Sequence, residues 1–173
     1  MHFFLQSSML ANHLNKCIFI KNSVDKYLIT AFLNNNMALA FSDIYCHLVW
    51  RISAASAVMM APTRKLVRSF LEDFAEQFGY ECIVVSVLED HVHMLAKLLP
   101  GIAPGLLVEL LKEELTQYLQ KKLAMKNPPQ WDDAYGIVSI SGSHLEMVAK
   151  YIAQQEKHHR KGTTNKTLER VRD

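Results

Sequence analysis

Two histidines separated by one residue, His91-Val92-His93, are the first feature of this chain able to do chemistry. Alternate side chains of a strand share a face, so both imidazoles can meet one divalent ion while Val92 points into a core. A half-exposed strand that carries two histidines and no ion is the competing reading, because short patterns have many chance matches. Tyr151 and Gln155 are the second feature. Four apart on a helix, they lie on one face, and His158 and His159 continue that side. Taken singly, such a tyrosine is more often a core residue and such a glutamine a surface one. A helix crossing the sheet near the histidines would change this. Gln155 would then offer a third ligand, and the Tyr151 hydroxyl would stand beside the ion. A hard cation with few protein ligands, Mg²⁺ or Mn²⁺, keeps positions open for phosphate oxygens and neutralises charge in phosphoryl transfer. A phenol, with an ordinary pKa of about 10, attacks once it is deprotonated or hydrogen-bonded. The product is a covalent phosphotyrosine, which keeps the bond energy for rejoining.

The elements that must position these residues follow from periodicity. Phe41 to Arg51 alternates and reads as a strand. Pro62-Thr63 opens a helix with Leu66, Val67, Phe70, Leu71, Phe74 and Phe78 at three- and four-residue steps, and Gly79 ends it. Glu81 to Leu88 is β-branched, Glu89-Asp90 is a turn, and His91 to Leu98 alternates, which makes a hairpin. Pro100 to Pro104 is a loop, Leu106 to Met125 is a helix, and Asn127-Pro128-Pro129 breaks it. Tyr135 to Ser141 is a fourth strand. Ser143 with Glu146 is a capping box that opens a last helix over His144 to Arg160. The order β-α-β-β-α-β-α predicts an α+β fold of ferredoxin-like split βαβ type. Four antiparallel strands would be backed by two helices, with a C-terminal helix added to carry the chemistry.

The pattern also resembles a family. Glu89-Asp90-His91-Val92-His93-Met94-Leu95 is similar to the signature strand of the HUH endonucleases. Trp131 and the block Tyr135 to Ser141 resemble the segment before the catalytic helix in single-tyrosine transposases of the insertion-sequence-two-hundred type and their REP-associated relatives. Tyr151 to Lys161 resembles that helix, and His47-Leu48-Val49-Trp50 the opening strand. The resemblance spans about residues 38–165. It implies cutting and rejoining of single-stranded DNA, with Tyr151 as the nucleophile linked to the 5′ phosphate. It implies that His91, His93 and Gln155 hold Mg²⁺ or Mn²⁺. It also implies recognition of hairpins at the ends of a mobile element, and a homodimer in which one subunit's tyrosine helix completes the other's site. Two stretches depart from the family. Arg51 to Met60 carries a single charge where a basic stretch is usual. Lys112-Glu113-Glu114-Leu115-Thr116 replaces a lysine followed by small hydroxyl residues.

Composition bounds the rest. Of 173 residues, half are hydrophobic and 21% charged, which excludes disorder and collagen. No apolar run is long enough to span a bilayer. Cys17, Cys46 and Cys82 form no CxxC pair, and the cytoplasm is the default compartment. Basic charge gathers at the C-terminal end. The helix of Tyr151 runs into Lys157, Arg160 and Lys161, which reads as a grip on DNA phosphates or as a solvated helix end. Residues 1–36 show no targeting signal and read as an appended segment or as an extension upstream of a start at Met37. The expected divisions are 1–36, a catalytic domain over 37–165, and a basic tail over 166–173. Two further functions fit the same residues: a relative that binds or nicks hairpins without transposition, and a ferredoxin-like binding module with an incidental histidine pair.

Overall fold

The computed structural model describes residues 41–78, 80–98, 100, 103–124 and 126–171. The expected segment over residues 1–36, the start at Met37 and the helix stop at Gly79 lie outside the described residues. Alternation makes Ile44–Ile52 the strand β1, Glu81–Val87 β2, His91–Leu98 β3 and Trp131–Ile140 β4. All pairs are antiparallel, in the order β2-β3-β1-β4. Helix α1 (Ala61–Phe78) joins β1 to β2, and α2 (Pro104–Leu123) joins β3 to β4. This is the expected ferredoxin-like arrangement.

The register sorts side chains by face. Leu48, Trp50, Val92 and Met94 share one face and are wholly or almost wholly buried. Val67, Leu71 and Phe74 of α1 and Leu107, Leu111, Leu115 and Leu119 of α2 recur at helical spacing and are buried with them. The Phe70 and Tyr118 rings, 4.8 Å apart, join the two helices. The opposite face carries His47 and Val49 from β1, His91, His93 and Leu95 from β3, and Gly136 and Val138 from β4. Leu95 packs there with Val148, Ile152 and Leu168. The chain after β4 therefore covers the face that bears the histidines.

Several boundaries differ from expectation, each for a local reason. Pro104 is not loop but sits at the start of α2, where its missing N–H costs nothing. β4 begins at Trp131, because an edge strand tolerates Asp132 and Asp133. The capping-box start is replaced by a cap one residue pair earlier. Ser141 Oγ accepts from the Ser143 N–H and starts a 3₁₀ turn over Gly142–His144. The single last helix is two: α3 (Leu145–Ala153) and α4 (Gln155–Lys161), jointed at Gln154 with φ −108° and ψ 19°. Leu168 and Glu169, expected in a tail, pack on the sheet face. Among the described residues, no helix is long and apolar enough to cross a membrane.

Leu95 is wholly buried beneath α3 and the returning chain. Leu95→Ala should cost about 2–5 kcal/mol in urea unfolding. A cost under about 1 kcal/mol would mean that this second layer adds little to the fold.

Candidate active site

β3 brings His91 and His93 to one face by strict alternation, and both are almost fully buried. Each ring is fixed through Nδ1. Asp90 Oδ1 lies against Nδ1 of His91, and Asp90 is itself steadied by Arg51 at 3.5 Å. His93 Nδ1 lies 2.9 Å from His47 Nε2, with the two rings stacked. Assigning the proton to Nδ1 in His91 and His93 leaves each Nε2 with a lone pair. Helix α4 supplies His159, whose ring centroid is 4.7 Å from that of His91. Beyond Gly162, which caps α4 in the left-handed region at φ 64°, the chain turns back and delivers Glu169.

Glu169 Oε2 lies 3.3 Å from His93 Nε2, 3.4 Å from His159 Nε2 and 3.7 Å from His91 Nε2. These four atoms are buried and none has a hydrogen-bond partner. All four residues offer ligand atoms within 4.8 Å of one another. Buried polar atoms are normally paired, and leaving one unpaired costs about 1–3 kcal/mol. Four convergent orphans of this donor chemistry fit a divalent cation. The other carboxylate oxygen, Oε1, accepts from the Tyr151 hydroxyl at 3.0 Å, and the Asn165 N–H donates to the same phenol oxygen at 2.7 Å. Tyr151 is held on α3 by Val148 and Ile152, which face the core.

Electrostatics agree with the geometry. Burial, aided by His93, pushes the His91 imidazole down to about 4, against the pull of Asp90. Burial and His93 push His47 down to about 3. Both are neutral at physiological pH, the state in which an imidazole nitrogen is able to hold a cation. Burial would raise the Glu169 carboxyl, but His93, Tyr151 and His159 outweigh it and hold it down to about 2. Burial raises the Tyr151 phenol, opposed by the Asn165 N–H.

The structure thus sets Tyr151 against a group that contains both His91 and His93. Gln155 is fully buried and neither amide atom has a hydrogen-bond partner. Lys157, Arg160 and Lys161 are exposed on α4. The joint at Gln154 means that no straight helical rise connects them to Tyr151. Arg160 lines an open cleft of about 500 Å³ together with Arg64, Asp90, Glu156 and His159. Sequence alone gives no role to three participants. His159 follows Gln155 by four residues, a spacing that could have marked it. His47 stands 46 residues from its partner. Glu169 has no periodicity to reveal it.

Comparison with known proteins agrees. Residues 40–155 match the family described as "Transposase IS200 like". The ISDra2 transposase TnpA of Deinococcus radiodurans is 29% identical over 114 residues, covering 63% of this chain and 81% of the relative. A crystal structure of a candidate transposase from Deinococcus radiodurans has a TM-score of 0.53 at 22% identity, covering 68% of this chain and 94% of that one. The structure of a REP-associated tyrosine transposase bound to a REP hairpin has a TM-score of 0.50 at 13% identity, covering 72% of each chain.

The lowered histidines set a pH dependence. Unfolded, His47 and His91 titrate near 6.5; folded, near 3 and 4. Between about pH 6.5 and 4 the unfolded state binds more protons, so stability falls as pH falls, by roughly 1.4 kcal/mol per pH unit for each histidine fully titrating. The lowered Glu169 carboxyl extends the loss from about 4.5 towards 2. In chelator, the urea midpoint should drop between pH 7 and pH 5. A flat midpoint would mean that these rings are not held neutral by the fold.

Proposed function

We propose, for a chain that belongs to the IS200-like transposase family, that it cuts and rejoins single-stranded DNA through a covalent 5′-phosphotyrosine on Tyr151. The observation that carries this reading is the Tyr151 hydroxyl 3.0 Å from Glu169, whose second oxygen faces three unpartnered imidazole nitrogens. His91 and His93, with Gln155 or His159, would hold the divalent ion, Mg²⁺ or Mn²⁺, which supplies a Lewis acid on the scissile phosphate. Everything else falls to the chain itself. The Asn165 N–H fixes the phenol oxygen in place, so its remaining lone pair has a set direction. As the bond from this oxygen to phosphorus forms, the bond from phosphorus to the 3′ oxygen breaks. The proton lost by the phenol is balanced by the one that the departing 3′ hydroxyl gains. Attack by a 3′ hydroxyl on the phosphotyrosine runs the same exchange backwards and rejoins the strand.

The wider reading rests on the family. The partner is single-stranded DNA with hairpins at the ends of a mobile element, handled in the cytoplasm by a homodimer. The catalytic domain starts at residue 37 and runs past the expected boundary at 165 to include Glu169, and residues 1–36 are dispensable to it. Lys157, Arg160 and Lys161 hold the strand, since the chain between β1 and α1 offers little positive charge.

Tyr151→Phe should abolish the covalent adduct while single-strand binding stays within about twofold, because only the attacking oxygen is removed. An adduct formed by this variant would move the nucleophile elsewhere. Replacing Arg160 and Lys161 with alanine should weaken single-strand binding and reduce its salt slope by about 0.7 for each phosphate no longer neutralised. Binding curves that overlay the wild type across a salt series would place the DNA path elsewhere on the protein.

A further inference from the structure

One carboxylate occupies both working parts of this site. Glu169 Oε1 takes the hydrogen of the attacking hydroxyl, and Oε2 fills the space between three imidazole nitrogens. The chain behind it is built to stay there. Leu168 is buried against Leu95, Val148 and Ile152. Asn165 Oδ1 accepts from the Thr167 and Leu168 N–H groups, and the Asn165 carbonyl from that of Glu169. The Arg170 carbonyl passes so close to β4 that a Cβ on Gly136 would overlap it and sit 2.7 Å from Val49 Cγ1. Gly136 is the position whose lack of a side chain lets the returning backbone lie on the sheet.

The spacing of the ligand atoms matters too. Bonds of about 2.0–2.1 Å from nitrogen or oxygen to a tetrahedral ion give ligand-to-ligand edges of about 3.3–3.4 Å. Three of the six edges, those from Glu169 Oε2 to the nitrogens, are 3.3, 3.4 and 3.7 Å, and all six lie within 4.8 Å. Three imidazoles and one carboxylate are also the donors of borderline transition ions rather than of Mg²⁺, which prefers oxygen and water.

We propose that His91, His93, His159 and Glu169 form a closed resting site for a transition-metal ion, and that a DNA phosphate must displace Glu169 before Tyr151 can attack. The exchange replaces one anionic oxygen donor by another, so the charge around the ion is preserved. It also frees the phenol from the carboxylate that holds its proton. The proposal rests on the transposase reading for the identity of the incoming anion. Its metal-binding part stands apart from that reading.

Cobalt(II) serves as the probe, because its visible absorption is intense in four-coordinate sites and weak in six-coordinate ones. The full chain should bind Co²⁺ with the intense spectrum, should bind Zn²⁺ in competition, and should not release Co²⁺ to millimolar Mg²⁺. Glu169→Gln keeps shape and removes the anionic donor. It should bind Co²⁺ at least tenfold more weakly and lose the intense band. Gly136→Ala, which touches no ligand, should change the spectrum in the same direction, with thermal melting confirming that it folds. A single-stranded oligonucleotide added to the wild-type complex should alter the band. Unchanged affinity and spectrum in Glu169→Gln would overturn the lock, whether or not the wild type forms a tyrosine adduct. If the cobalt results hold and the wild type forms no adduct on any single strand, Glu169 stands as a ligand of the metal site and the transposase chemistry, with the lock on it, falls.

Discussion

Three imidazole nitrogens and one carboxylate oxygen meet in a buried place where none of them has a hydrogen-bond partner. Unpaired polar atoms in a protein interior are costly, and four at one point are a burden that a fold sustains only for a reason. A shared cation would supply that reason. The surrounding contacts make sense on the same terms. Asp90 and His47 hold the far nitrogens of His91 and His93, which aims the near ones, as outer supports of metal ligands do. Burial keeps His91 and His47 neutral, so the lone pairs are available.

The fold concentrates its order on this point. β3 lies between β2 and β1, and seven of its eight residues are buried, so His91 and His93 have little freedom to move. Their strand neighbours on the same face, Val49 and Gly136, are small enough to leave the surface open to the returning chain. The joint at Gln154 lets α3 seat Tyr151 through Val148 and Ile152, while α4 turns Gln155 and His159 inward. A single straight helix would fix the relation of all these side chains at 100° per residue. Two short helices relax that constraint.

What was legible in the sequence is what obeys a local period. The strand and helix order follows from alternation and from three- and four-residue steps. The His91–His93 pair and the Tyr151–Gln155 pair follow from the same two periods. What depends on distant pairing was hidden. His47 supports His93 from another strand, and nothing in its own surroundings says so. Glu169 reaches the site through a reversal at Gly162 in a stretch without periodicity. The joint at Gln154 falls on an ordinary helix-forming residue. The start of β4 was masked by two aspartates that only an edge position accommodates.

The central claim is that the buried cluster serves a covalent reaction at Tyr151. Its most direct test is to find where DNA becomes attached. A single-stranded substrate incubated with the full chain and a divalent ion, then digested with trypsin, should leave its nucleotide mass on the peptide Tyr151-Ile152-Ala153-Gln154-Gln155-Glu156-Lys157. Fragmentation should place that mass on Tyr151. A nucleotide carried by any other peptide would contradict the account.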